Sequence, residues 1–242
     1  MMKKILFFAG ALLTLTSCTI YHPQAVDIPL INHAGDGRVD ASLGMSTFIM
    51  PDVVTLNATV SYGFNDWLAG QVHFNHGGDN YYGQIAPGFY YPLGAKSVVE
   101  CYAGFGYGGS ARENINPDFS SNASNEFSFD GHYMLPFVQG NIGWHDLTGA
   151  NFDLAVGLKV GGFMPDYNYR EFDNSGNEIA SERVDYTTTN LLVEPQVMLR
   201  VGPRHLKFNL KAGYAWLSDM TSSSYKFIYD NLTVSAGLTF AF

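Results

Sequence analysis

The sequence predicts an all-β protein: a closed antiparallel transmembrane β-barrel, most simply of ten strands. Three observations carry this reading. Apolar residues alternate with small or polar ones at a period of two along most of the chain, and no stretch shows the 3.6-residue period of an amphipathic helix. Long and short connections between the alternating segments segregate by parity, as hairpins closing on opposite sides of a membrane require. The 242 residues are only 14% charged but 15% aromatic, with 26 Gly, whereas a soluble domain carries about 25% charged residues.

The chain opens on the basic Met1-Met2-Lys3-Lys4 and continues with an apolar run from Ile5 to Thr16. That run is shorter than the roughly 20 residues of a spanning helix, so residues 1–17 read as a signal peptide. It ends in Leu15-Thr16-Ser17-Cys18, which resembles the bacterial lipoprotein box. The resemblance implies that Cys18 becomes the first mature residue and carries acyl chains, each buried CH₂ adding about 0.8 kcal/mol of membrane affinity. Residues 18–37 contain Pro23, Pro29 and Gly35-Asp36-Gly37 and show no period. They read as a lipidated tether, with folding into a barrel mouth as the other possibility. Tyr21 and His22 are taken as part of that tether rather than as ligand contacts.

The barrel is assigned to residues 38–242. Val39, Ala41, Leu43 and Met45 alternate with Asp40, Ser42 and Gly44, and Leu56, Ala58, Val60 and Tyr62 with Asn57, Thr59 and Ser61. The same holds around Leu68 to Phe74, Ile85 to Tyr91 and Val99 to Tyr107, and then around Phe152 to Val160, Leu191 to Val201, Leu206 to Trp216 and Leu232 to Phe242. The stretch from Phe127 to Trp144 is the least regular but has the length and the polar Gln139 and Asn141 of a strand. One face of these strands is largely Gly, Ala, Ser, Thr and Asn, which suits the crowded inside of a closed barrel. The apolar face therefore meets lipid, where only a closed sheet satisfies every backbone group. Connections 109–126, 165–185 and 218–225 are long and expected to be extracellular; those at Asn65-Asp66, Gly94-Ala95-Lys96, 145–150 and Gly202-Pro203-Arg204 are short and expected to be periplasmic.

The chain ends Gly237-Leu238-Thr239-Phe240-Ala241-Phe242. This resembles the terminal strand of bacterial outer-membrane barrels, and the whole mature chain resembles small OmpA-like barrels in architecture. The resemblance implies a lipid-anchored protein of the bacterial outer membrane. It also implies that Gly237, Phe240 and Phe242 form an assembly signal read by the barrel-assembly machinery, so that this machinery and outer-membrane lipid are the expected partners. No extracellular ligand or protein partner is named by the sequence.

Eight charged residues fall on the inward face: Asp40, Glu100, Asp153 and Glu194 against Lys159, Arg200, Lys207 and Lys211. Confined charges need partners, so they are expected to form a network filling the bore, with Glu194 opposite Lys211 across the Gly202-Pro203 hairpin. Asp130-Gly131-His132 resembles the Asp-x-His pairing of outer-membrane aspartyl-type proteases. Those enzymes need a second acidic pair and much taller extracellular strands, and neither is read here. His73 and His76 are expected on opposite strand faces, and no metal site or cofactor is assigned. The acids around 171–178 read as a solvated hairpin tip rather than a Ca²⁺ loop. Trp67, Trp144 and Trp216, with Tyr81, Tyr82, Tyr90 and Tyr91, read as interfacial girdles.

A net charge of -9 with no basic stripe argues against nucleic acid as a partner. Two cysteines, Cys18 and Cys101, cannot build a disulfide framework, and no Gly-x-Ser-x-Gly elbow occurs. The expected function is therefore non-enzymatic, a structural or surface-interaction role. A narrow channel is the first alternative and a hydrolase at the extracellular mouth the second.

Overall fold

The computed structural model describes residues 21–24, 26–46, 53–115, 126–147, 149, 151–173, 175–219, 229 and 231–242. They form one antiparallel sheet of twelve segments. In chain order these are β1 (Gly37–Ser46), β2 (Val53–Gly63), β3 (Leu68–Gly77), β4 (Asn80–Pro92), β5 (Ser97–Ile115), β6 (Glu126–Trp144), β7 (Phe152–Phe172), β8 (Glu178–Val184), β9 (Asn190–Val201), β10 (Leu206–Tyr214), β11 (Trp216–Asp219) and β12 (Leu232–Ala241). β8 and β9 both pair with β7 at successive heights, and β10 and β11 both pair with β9 on either side of Ala215. Twelve segments thus make ten courses, and the sheet closes because β12 pairs with both β10 and β1. The ten alternating stretches of the sequence correspond to these ten courses.

Register turns alternation into two surfaces. Val39, Leu43, Leu56, Val60, Val72, Ile85, Phe89, Phe105, Leu158, Leu210 and Leu238 all point outward and are exposed. Their partners on the other face, among them Asp40, Asn57, Thr59, Gln71, His73, Asn209 and Thr239, are buried in the bore. An outward apolar surface that large fits hydrocarbon rather than water. Trp67 and Trp216 stand at strand ends and are half exposed, with Trp67 stacked on Phe89. The tyrosines divide: Tyr81 and Tyr91 face outward, while Tyr82 and Tyr90 face the bore.

The wall is taller than the sequence reading allowed. β5 and β6 each run for 19 residues and β7 for 21, so much of the expected loops 109–126 and 165–185 is strand. Above the membrane both strand faces meet water or aromatic neighbours, so the period-two signal that marked the lipid-facing part fades there. Residues 116–125 and 220–228 lie outside the described residues. The β7–β8 hairpin tip is an Asx turn: Asp173 accepts the backbone N–H groups of Ser175 at 2.8 Å and Asn177 at 2.9 Å, and Gly176 supplies the left-handed residue at φ 78°. These contacts draw the Asp173 carboxyl below its ordinary range. At the opposite end the connections are short, and Asn65 caps one by accepting from the N–H groups of Trp67 and Leu68.

The segment read as a tether runs inside. Tyr21, His22, Gln24, Val26, Asp27, Ile28, Leu30 and Ile31 are all buried within the barrel. Ile28, Leu30 and Ile31 join an apolar core with inward-facing Tyr102, Leu135, Ala155 and Met198. The bore is therefore two-sided. Small polar residues line it on β12 to β3, as expected, but Tyr82, Tyr102, Tyr133, Phe137 and Phe163 line it on β4 to β7. Glycine makes room for the occupant at two places: a Cβ on Gly143 would meet Leu30 Cδ2, and one on Gly63 would meet Ile31 Cγ2.

The bore as candidate functional site

The inward charges meet partners, though not in the expected arrangement. On β10, Lys211 donates to Asp40 of β1 at 2.6 Å, and Asp40 also accepts from Asn209 and from the Thr239 hydroxyl. Lys207 donates to Asp153 of β7 at 2.6 Å. Lys159 stands 3.4 Å from Glu194, donates to Gln84 Oε1 at 3.1 Å, and lies over the Phe137 ring. Glu194 does not face Lys211. The hairpin pairs Lys211 with Met198, four residues from Glu194, and β9 aligns Glu194 with Lys159 instead. The expected parity holds; the turn is centred two residues later in the chain than the sequence reading put it.

The remaining inward charges hold the N-terminal segment. The Arg200 guanidinium donates to Asp27 Oδ1 at 2.5 Å and to the carbonyls of Ile28 at 2.6 Å and Pro29 at 3.4 Å. Arg38 donates to the Leu30 carbonyl at 3.0 Å. Glu100 accepts from the Ile31 N–H at 2.8 Å and from Asn141 at 3.1 Å. Glu194 accepts from the Tyr21 hydroxyl at 2.6 Å and the Gln24 N–H at 3.3 Å. A strand without sheet neighbours leaves its backbone groups unsatisfied, and each costs about 1–3 kcal/mol when buried. Side chains of the wall supply the partners a neighbouring strand would have given.

Sequence reading missed Asp27, Arg38 and Tyr21 as bore residues. A signal was present, since Val26-Asp27-Ile28-Pro29-Leu30-Ile31 is more apolar than a solvated tether should be. Leu30 adopts φ 57°, so the segment bends where its carbonyl turns to Arg38.

The segment enters at the end carrying the short turns. A cavity of about 470 Å³ opens there, lined among others by Asp36, Arg38, His145, Asp153 and Lys207. His145 sits in the turn below the barrel, and burial, with Arg38 beside it, lowers its pKa to about 4 against an opposing pull from Asp153.

The Asp-x-His pair is elsewhere. Asp130 and His132 lie on the outward face of β6 above the apolar band, with His132 3.8 Å from Asp166 and Asp166 3.3 Å from Arg183. The tall strands held to be missing are present, but this pair points away from the barrel interior. His73 is buried in the bore and His76 is exposed, on opposite faces. No group of three or more metal-ligating side chains occurs among the described residues.

Phe240 and Phe242 end β12 on the outward face, exposed and stacked with ring centroids 6.1 Å apart. Gly237 faces the bore between Ser42 and Asn209, so close to the Ala41 carbonyl that a Cβ has no room. Cys18 lies outside the described residues, as do most of residues 218–225.

Residues 2–19 match the family model described as a prokaryotic membrane lipoprotein lipid attachment site. No curated protein matches the chain. Solved structures similar to it include the NanC porin, 13% identical over 84% of this chain and 98% of that one with a TM-score of 0.38. Others are the translocator domain of the autotransporter NalP from Neisseria meningitidis (9% identity, 87% and 90% coverage, TM-score 0.40) and CarO from Acinetobacter baumannii (10%, 89% and 100%, 0.25). A closed ten-course barrel with an outward apolar band and a lipoprotein attachment site is a lipid-anchored protein of the bacterial outer membrane.

Proposed function

We propose that this lipid-anchored barrel is not an enzyme and serves a structural or surface-interaction role, with a bore sealed by its own N-terminal segment. The observation that supports it best is Arg200: a fully buried guanidinium bonded to Asp27 and two carbonyls of that segment. Ion flow would require that contact to open, and an unpaired charge in a confined interior costs about 3–5 kcal/mol. The outward orientation of Asp130 and His132 favours the non-enzymatic reading. Outer-membrane lipid and, during biogenesis, the barrel-assembly machinery are its proposed partners.

A narrow channel is the second reading. Ser42, Ser61, Gln71 and His73 line one side of the bore with side-chain atoms that no described residue satisfies, and buried polar atoms need a partner such as water. Planar-bilayer recording on the folded, detergent-purified protein tests the two. A sealed barrel stays at baseline; steady, ion-selective conductance would overturn the seal.

A further inference from the structure

We propose that the chain is threaded through its own barrel, so that Cys18 emerges at the extracellular end and its acyl chains enter the outer leaflet of the membrane. The proposal rests on the occupied bore, but it concerns which face the anchor reaches.

The direction of the segment is fixed by its contacts, taken from Gly37 backwards. Gly37 pairs with the C-terminal Phe242 at the end of the short turns, the periplasmic end. Ile31 then bonds Glu100, four positions into β5 from that end, and Asp27 bonds Arg200, next to the last residue of β9. Gln24 bonds Glu194, six residues higher on the same strand. His22 reaches Asn75, two residues from the extracellular end of β3. Tyr21 packs edge-on against Tyr133 and Phe163 and bridges to Tyr229, which precedes β12 on the extracellular side. Ile31 to Asp27 stay near the periplasmic end, and from Asp27 to Tyr21 the contacts climb to the extracellular end, so the chain runs outward toward its N-terminus.

Reach then decides the location of Cys18. It lies three positions before Tyr21, and three fully extended residues span at most about 10 Å. The apolar band of an outer-membrane barrel is about 25 Å tall, so Cys18 cannot return to the periplasmic leaflet from Tyr21. The outer rim is within range. Among the described residues the wall rises highest across β5 to β8.

The same geometry orders assembly. The bore holds Asp27 against Arg200 and Leu30 against Gly143, which leaves no passage for acyl chains through a finished barrel. The wall must close around a segment already in place.

An epitope inserted between Thr19 and Ile20 tests the proposal in intact cells. Only heat-modifiable, folded protein is counted, with the same epitope at Gly176 as a surface control and at Gly149 as a periplasmic one. Antibody should label the insertion on intact cells as it labels the Gly176 tag. Labelling only after the outer membrane is permeabilised, as at Gly149, overturns the proposal. Should the insertion prevent folding, Tyr21→Cys with Tyr229→Cys in a Cys101→Ala background decides: the folded barrel should carry a disulfide seen as reduction-sensitive mobility of the unfolded chain, and its absence from folded protein overturns the threading. A periplasmic tag on a barrel that stays at baseline conductance would remove the threading and leave the seal standing. A surface tag on a conducting barrel would do the reverse.

Discussion

Arg200 and Asp27 are 173 residues apart in sequence, yet the guanidinium meets the carboxylate at 2.5 Å with neither side chain more than 1% exposed. The pair joins the last turn of the wall to the segment inside it, so the barrel's interior is held by residues from the two extremes of the chain. Asp27→Asn or Arg200→Met alone should lower the stability of the detergent-solubilised barrel by about 3–5 kcal/mol, because each strands the other charge. The double variant should recover part of that loss. Thermal unfolding followed by heat-modifiable gel mobility reads all three; equal, additive losses would mean that the two groups do not act as a pair.

Lys211 provides a sharper test of register. Its partner is Asp40, while Glu194 lies four residues beyond the position opposite it, about 13 Å along the strand. A cycle of Asp40→Asn and Lys211→Met should show coupling on the order of 0.5–3 kcal/mol, and a cycle of Glu194→Gln and Lys211→Met should be additive within about 0.5 kcal/mol. Coupling of the second pair and not the first would place the β9–β10 turn elsewhere.

Two glycines three residues apart on β6 should respond oppositely to a side chain. Gly143 faces the bore, where a Cβ meets Leu30 and Ala155; Gly140 faces outward with nothing within 4 Å. Gly143→Val should cost about 1–3 kcal/mol by overpacking against the inner segment. Gly140→Val adds an apolar group to the lipid-facing surface and should be neutral or mildly stabilising. Unfolding midpoints of the two variants, measured side by side, check the assignment of faces; a tolerated Gly143→Val would show that the inner segment yields easily.

Phe242 faces lipid at the end of the closing strand and exchanges both backbone hydrogen bonds with Gly37. Its deletion should reduce the amount of folded barrel in the outer membrane while synthesis and export continue. Wild-type levels of heat-modifiable protein after the deletion would remove Phe242 from the assembly signal.

Alternation made the wall legible because lipid-facing positions are mostly apolar while bore positions on β1 to β3 are mostly polar. It failed where that contrast disappears. Phe129, Tyr133, Leu135 and Phe137 are as apolar as the outward residues of β6, because the inner segment offers them Tyr21 and Ile28 to Ile31 as a second hydrophobic surface. The inner segment itself has no period, since it packs against different walls at successive residues. Polarity and parity identified the inward charges, but partners depend on register: a turn centred two residues later takes Glu194 away from Lys211, and the β7–β9 register sets it against Lys159. Asp27 was hidden for the same reason: nothing local marks a carboxylate whose cation lies at the other end of the chain.

The periplasmic mouth carries a pH response. Burial lowers His145 to about 4, helped by Arg38, Arg200 and Lys207 and opposed by Asp153, against an ordinary value of 6.5. The unfolded chain therefore takes up this proton before the folded one does. The neutral imidazole's contribution to stability is fully present above about pH 6.5, falls as the pH drops below that value, and is lost as it passes through about 4. Asp173 acts in the same direction from the outer hairpin, its lowered carboxyl favouring the folded tip until acid protonates it. His145→Gln keeps a neutral polar side chain without a titrating group, so the variant should lose less stability than the native barrel between pH 6.5 and 4 while matching it more closely at pH 7.5. Unfolding midpoints taken across that range in one detergent isolate the His145 contribution, because the Asp173 carboxyl begins to lose its own only as the pH falls below its ordinary value of 3.8. Identical pH profiles for the two proteins would mean that His145 takes its proton freely in the folded state, and that the turn below Arg38 opens to water.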